Sequence, residues 1–311
     1  MINKIDDLVD ESKAVLQEIE LPKYFPKVKL FIKRIDLIHP QISGNKWYKL
    51  KYNLLYAQSM GVKTILTFGG AYSNHIYATA AAGNILGINT IGIIRGEEHL
   101  PLNSTLSFAS EKGMRLVYKD RQKFKEIHNG LCYEDIKNEF GNVYVIPEGG
   151  SNELAVKGCA EIVHKIGVDF DFLCAPCGTG ATTAGLIAGI NNNKSIIGFS
   201  ALKGEFLNEY VSNLLLKSTG EYFDNWSINT DYHFGGYAKL KPALIEFTKE
   251  FYRTYNIQLD YIYTAKMMYG LFDLIKKGYF DSNTTIISLH TGGLQGNEGI
   301  IKSRKIIMDY Q

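Results

Sequence analysis

The chain has 311 residues, 45% of them hydrophobic, so it can bury a sizeable core as one large domain or two moderate ones, and disorder is not the expectation. Its 34 basic and 32 acidic residues leave a formal charge of +2, which provides no global field for nucleic acid or an anionic membrane. An anionic ligand has to be held locally.

The start, MINKIDDLVDESKAVLQ, is charged and amphipathic and lacks the apolar core and cleavage site of a secretory signal. No run of about eighteen apolar residues occurs, so a cytoplasmic location is expected. The four cysteines, Cys132, Cys159, Cys174 and Cys177, form no disulfide-like framework and are expected as free thiols in a reducing compartment.

In chain order, KVKLFIKRI, TILTF, TIGII, RLVY, VYVI, FDFLCA, SIIGFSA and TTIISL are short β-branched runs, most followed by a Gly-rich turn and an amphipathic segment. This is the rhythm of an α/β protein with mostly parallel sheets. Between Asn74 and Gly87, NHIYATAAAGNILG predicts a helix whose small residues let it pack closely on a sheet. The strands from Thr64 to Ile146 make one compact group ending in PEGGSN, and a second group runs from Phe170 onward. With no repeat or long linker, the expectation is two α/β layers with a cleft between them.

Five segments carry residues able to do chemistry. In SGNKWYKLKYNL, Gly44 and Asn45 turn the chain after a strand, and a helix over 46–56 places Lys46 at its start. A lone lysine is more often a solvated surface charge. At a partly buried positive helix end, however, the ammonium is disfavoured, leaving an amine able to attack an aldehyde.

In CGTGATTAGL, Cys177 to Leu186, small residues let backbone N–H groups converge at a helix start, and Thr179, Thr182 and Thr183 add hydroxyls. Such a turn suits a phosphate. It lacks the G-x-G-x-x-G spacing of a dinucleotide site and the GK[ST] of a P-loop, so a monophosphate fits it better than a triphosphate. In FGGAYSNH, Ser73 is the natural N-cap, and Ser73 and Asn74 present a hydroxyl and an amide at the same helix end. In SLHTGGLQG and DYIYTAKMMYGL, Tyr263 reads as a core or interface aromatic and Thr264 as an N-cap.

Cys174-x-x-Cys177 has no second ligand pair, so no metal is expected. The seven histidines show no H-E-x-x-H spacing, and no G-x-S-x-G elbow is present. A nucleotide-dependent oxidoreductase would use one of the glycine turns but gives Lys46 no role.

Taken in order, GNKxxKL, GGxxSNH, GTGATTAG, a Tyr-Thr pair and HTGG resemble the 1-aminocyclopropane-1-carboxylate (ACC) deaminase and D-cysteine desulfhydrase family, over roughly 27–296. That family consists of pyridoxal 5'-phosphate (PLP) enzymes of the tryptophan-synthase-β-like fold, fold type II. The resemblance implies two open, mostly parallel α/β domains with a cofactor cleft between them. Residues 1–46 and 152–311 would form the larger, PLP-binding domain and 47–151 the smaller one. It makes Lys46 the Schiff-base lysine, sets Asn74 against the cofactor's phenolic oxygen and Ser73 near the substrate, and gives the phosphate to Gly178, Thr179, Gly180, Ala181 and Thr182. Tyr263 would lie over the reacting carbon, with Tyr237 of HFGGYAK a second aromatic.

Thr264 and Thr291 discriminate within the family. Deaminase-type members carry glutamate after the tyrosine and HLGG, whereas desulfhydrase-type members carry threonine in both places, as here. A carboxylate at the pyridine nitrogen strengthens the electron sink, and a hydroxyl leaves a weaker one, sufficient for expelling sulfide. The resemblance therefore implies α,β-elimination on D-cysteine, with Lys46 and Ser73 as candidate bases, in a homodimer of the kind usual in such families. The alternatives are ACC deamination to 2-oxobutyrate and a catalytically silent PLP carrier. Tyr48 and Tyr72 depart from the family's arginine and glutamine, and Tyr72 is expected to reshape the substrate pocket.

Overall fold

The computed structural model describes residues 5–128, 133–190, 194–304 and 306. Two sheets occur among them. The larger has the order β1 (Leu16–Ile19), β2 (Lys29–Lys33), β10 (Thr285–Leu289), β7 (Phe172–Cys177), β8 (Ser195–Ser200) and β9 (Trp226–Asn229). All its pairings are parallel except β1 with β2. The smaller, wholly parallel sheet has the order β5 (Arg115–Lys119), β4 (Asn89–Arg95), β3 (Thr64–Gly69) and β6 (Tyr144–Ile146). Five consecutive residues of β4 are buried, as a parallel strand covered on both faces requires.

The helices are α1 (Asn45–Ser59), α2 (Asn74–Leu86), α3 (Ser104–Glu111), α4 (Arg121–His128), α5 (Tyr133–Phe140) and α6 (Glu153–His164), followed by α7 (Ala181–Ala188), α8 (Phe206–Thr219), α9 (Pro242–Tyr255), α10 (Thr264–Lys276) and α11 (Gly296–Arg304). All eight expected strands are present. The two that sequence patterning missed, β1 and β9, are four-residue edge strands without a clear alternation of burial. The expected grouping from Phe170 onward is incomplete, because β2 pairs with β10 and brings the N-terminal segment into the larger sheet. The Ser288 hydroxyl reinforces that pairing by donating to the Phe31 carbonyl at 3.0 Å.

Helix α6 is wedged between α1 and α7. A Cβ on Gly158 would stand 1.9 Å from the Tyr48 carbonyl oxygen, and one on Gly185 would stand 2.3 Å from Cys159 Cβ. These near-contacts of backbone draw α1 and α7 together, and Asn45 Nδ2 donates to Thr182 Oγ1 at 2.8 Å across their starts. The principal core cluster runs through this packing, with Trp47, Leu50, Val156, Ala184 and Leu186 all buried.

Cys159, Cys174 and Cys177 are buried free thiols, whereas Cys132 lies outside the described residues. Burial is the leading cause that pushes the Cys159 thiol up to about 11, which suits structural rather than reactive cysteines. Among the described residues, no group of three or more His, Cys, Asp or Glu could hold a metal, and no helix is long and apolar enough to cross a membrane.

Candidate active site

The carboxyl ends of β3, β4, β6, β7 and β10 lead into the walls of one cavity of about 500 Å³, where open parallel sheets bind their ligands. Lys46, the second residue of α1, lines it. The approach to Lys46 requires Gly44, whose φ is +64°, because a Cβ there would stand 2.0 Å from the Thr291 carbonyl oxygen. Lys46 Nζ donates to Asn45 Oδ1 at 2.8 Å. Burial, followed by the charge of Lys49, brings the Lys46 amine down to about 7, so a large fraction is unprotonated at neutral pH.

One turn along the same helix face, Lys49 is 3% exposed. Its Nζ donates to the Gly149 carbonyl at 3.0 Å and to Thr179 Oγ1 at 3.2 Å. The Ser151 hydroxyl lies 3.0 Å from the Thr179 carbonyl oxygen and 2.7 Å from Thr179 Oγ1. The turn Gly178–Thr179–Gly180 therefore carries an ammonium and hydroxyls beside the first-turn N–H groups of α7, which have no acceptor within their own helix. Gly180 has φ +76°. Gly178 is bare because a Cβ would come within 2.9 Å of the Tyr263 ring. Thr179 and Thr182 line the cavity, whereas Ala181 is fully buried and off its wall.

Tyr263 packs on Gly178, and its ring meets that of Tyr237 edge-on, with centroids 6.2 Å apart. Both line the cavity, so Tyr263 is not simply a core aromatic. Burial pushes both phenols up, Tyr263 well above its ordinary range, so both are hydroxyls at neutral pH. Beneath Tyr237, Lys266 is 1% exposed and donates to the Gly236 carbonyl at 2.7 Å. Phe234, Gly235, Gly236 and Ala238 all have positive φ in this loop, and the lysine pins its centre.

Ser73 caps α2 as expected, its Oγ accepting from the Ile76 N–H at 3.3 Å. Asn74 Oδ1 accepts from Gln295 Nε2, and Asn74 Nδ2 lies against Gly293. Thr291 lines the cavity at 6% exposure. Thr264 does not: it is fully buried and does not act as the N-cap. Asp260 takes that role, its carboxylate accepting from the N–H groups of Ile262, Tyr263 and Thr264 and from Thr264 Oγ1. The aspartate four residues upstream reaches three orphan donors at once, which no hydroxyl can do.

His75 was overlooked. Thr67 Oγ1 donates to the Ile146 carbonyl and therefore accepts from His75 Nε2–H at 2.9 Å. The network assigns this tautomer, leaving Nδ1 a buried lone pair with no partner among the described residues. Burial and the two lysines hold the imidazole neutral.

An amine near pH 7, a second ammonium and a glycine-threonine turn at a helix start fit an aldehyde that carries a dianionic phosphate. The two departures from the family pattern have opposite fates. Tyr48 is buried in the core at 1% exposure, away from the cavity, whereas Tyr72 lines it and packs against Gly299.

Residues 16–292 match the family described as pyridoxal-phosphate dependent enzyme. The chain belongs to that family, within its ACC deaminase and D-cysteine desulfhydrase branch, and PLP is its cofactor. It is 32% identical to a Pyrococcus abyssi protein with the provisional name 1-aminocyclopropane-1-carboxylate deaminase, over 94% of this chain and 95% of that one. It is 30% identical to the bifunctional D-cysteine desulfhydrase/1-aminocyclopropane-1-carboxylate deaminase of Arabidopsis thaliana, over 86% and 73%. To the D-cysteine desulfhydrase of Salmonella paratyphi A it is 26% identical, over 86% and 88%. A crystal structure of an ACC deaminase homologue superposes with a TM-score of 0.79 at 28% identity, covering 97% of this chain and 99% of that one. The nucleotide-dependent oxidoreductase reading is therefore dropped.

Proposed function

We propose that this enzyme catalyses α,β-elimination on D-cysteine, in which D-cysteine and water give pyruvate, hydrogen sulfide and ammonia. The observation that carries the choice is position 264. Threonine stands there in place of a carboxylate, its hydroxyl is committed to Asp260, and Glu148 is the one carboxylate among the described residues lining the cavity. A site without a carboxylate beside the cofactor ring favours substrates with a good leaving group.

When bound, PLP supplies an electron sink conjugated to the substrate's α-carbon. Lys46 would hold its aldehyde, and Lys49, Thr179, Thr182 and the backbone of Gly178, Gly180 and Ala181 its phosphate. Asn74 and Thr291 would flank the ring, while Thr264 and Asp260, bonded to each other, stand outside the cavity lining. Lys46, with an amine near 7, is suited to taking and returning the α-proton. Ser73 would orient the substrate carboxylate at the start of α2 and is the second candidate for moving that proton. Tyr263 and Tyr237, as neutral phenols, would donate to the departing sulfur.

Residues 1–46 and 152–311 would act as the cofactor-binding domain and 47–151 as the substrate-side domain, in a cytoplasmic homodimer. The two-sheet topology supports the first assignment, and the unpaired buried thiols support the compartment.

The test is a yellow purified protein whose visible absorption disappears in Lys46→Ala, together with keto-acid release from D-cysteine. Release of 2-oxobutyrate from ACC with no pyruvate from D-cysteine would replace the proposal with the deaminase reading. A yellow protein that releases neither would be a silent carrier.

A further inference from the structure

Three basic side chains line the cavity among the described residues, Lys46, Lys49 and Arg95, against the single carboxylate of Glu148. The aldehyde and the phosphate account for the two lysines. Arg95, the last residue of β4, is called on for neither.

Its guanidinium carbon stands 5.5 Å from the Phe124 ring centroid, a cation–π contact. Nη1 is 3.7 Å from Glu148 Oε1, beyond hydrogen-bond reach, and Nη2 is 3.4 Å from where a Cβ on Gly70 would sit. The side chain is 46% exposed. Its five N–H donors meet no hydrogen-bond acceptor among the described residues. Gly70, itself a lining residue, leaves the face beneath the guanidinium clear. The charges of Arg95 and Glu148 act on the Tyr237 phenol, whereas Lys46 responds to Lys49, Cys159 and Asp260. In the chain, Glu148 is followed by Gly149, where a Cβ would stand 2.8 Å from Thr179, and Gly178 lies under the Tyr263 ring. Arg95 and its carboxylate partner therefore border the tyrosine side of the cavity, the side proposed for the departing group.

We propose that Arg95 forms a subsite for the β-substituent of the substrate, and that the enzyme prefers β-substituted alanines whose thioether arm ends in a carboxylate over free cysteine. The inference rests on the elimination reading for the direction of that arm. A guanidinium oriented by a carboxylate on one edge and an aromatic face keeps its other edge for a bidentate anion. A bare thiol offers it nothing. The step balances: S-carboxymethylcysteine and water give mercaptoacetate, pyruvate and ammonia, with the C–S bond broken and the α-proton returned to the products.

The experiment titrates the yellow holoenzyme with the D-enantiomers of S-carboxymethylcysteine, S-propylcysteine and cysteine, reading dissociation constants from the visible absorption change, and measures keto-acid release alongside. The carboxymethyl compound is expected to bind at least tenfold more tightly than the propyl compound. In Arg95→Met that advantage should vanish while the propyl compound and cysteine stay within twofold, and Arg95→Lys should restore part of it. Equal weakening of all three ligands would make Arg95 a general carboxylate anchor and overturn the subsite, as would no change in any. Because binding is read from colour, failure of elimination would appear as absent keto acid with the binding pattern intact.

Discussion

The Lys49 ammonium bridges the Gly149 carbonyl and Thr179 Oγ1, so the helix that carries Lys46 also holds the turn at the start of α7. Replacing Lys49 by glutamine removes one charge-assisted contact to an anion, worth about 1.5–3 kcal/mol. PLP affinity is expected to fall about 10- to 100-fold, measured by titrating the cofactor into apoprotein and following the visible band. The core should stay folded, since glutamine retains a donor toward Gly149.

Lys46 itself sets a pH dependence. With its amine at about 7 instead of the ordinary 10.5, the neutral form dominates above pH 7 and the ammonium below it. Reductive methylation of apoprotein by formaldehyde, mapped by mass spectrometry, should label Lys46 with a midpoint near pH 7. In Lys49→Gln the midpoint should rise, because a like charge has gone. The unfolded chain binds this proton between pH 7 and 10.5 and the folded chain does not, so the group's contribution to apoprotein stability rises with pH across that window. A melting-temperature profile for Lys46→Met should lose that slope.

Gly158→Ala separates propensity from packing. In a free helix the change would stabilise by about 0.5–1 kcal/mol. Here the new methyl would meet the Tyr48 carbonyl at 1.9 Å, with backbone on both sides and nothing flexible to yield. Overpacking of this kind costs about 1–3 kcal/mol or more, so the clash wins. Urea denaturation is expected to show a lower midpoint with an unchanged slope.

Lys266→Met leaves the Gly236 carbonyl without its buried donor and frees the loop that presents Tyr237. The cofactor band should be retained while kcat falls about tenfold. The effect should be non-additive with that of Tyr237→Phe, since both act through the same phenol. Additive losses in the double variant would assign Lys266 to stability alone.

Much of this site is legible in the chain because its turns are local. Lys46, Ser73 and the Gly178–Thr182 turn each sit where a strand pattern breaks into a helix pattern, and the structure places Lys46, Ser73, Gly178, Thr179, Gly180 and Thr182 at one cavity, with Ala181 behind its wall. Lys49 stands in the GNKxxKL motif but was given no role, because it resembles any lysine of a basic helix, although its spacing of three from Lys46 puts both on one face. Its burial depends on α6, whose glycines act through tertiary contact. Thr264 was misjudged for the opposite reason: a local capping rule was applied without weighing Asp260, a stronger acceptor one turn upstream. Arg95 and Glu148 lie at the ends of separate strands, and only the pairing of β4 and β6 with β3 brings them together.

The crossing of Gly44 over Thr291 has a consequence for biosynthesis. The reactive lysine precedes in the chain the backbone that fixes its approach, and the Ser288–Phe31 bond closes a separation of 257 positions. Long-range closures of this kind form late, after local structure has been secured. A ribosome-bound chain that has not yet emitted β10 holds Lys46 without the wall opposite it. The pocket is therefore complete only after β10 has paired with β2, so vitamin supply should matter more to chains that have made this closure than to those still folding.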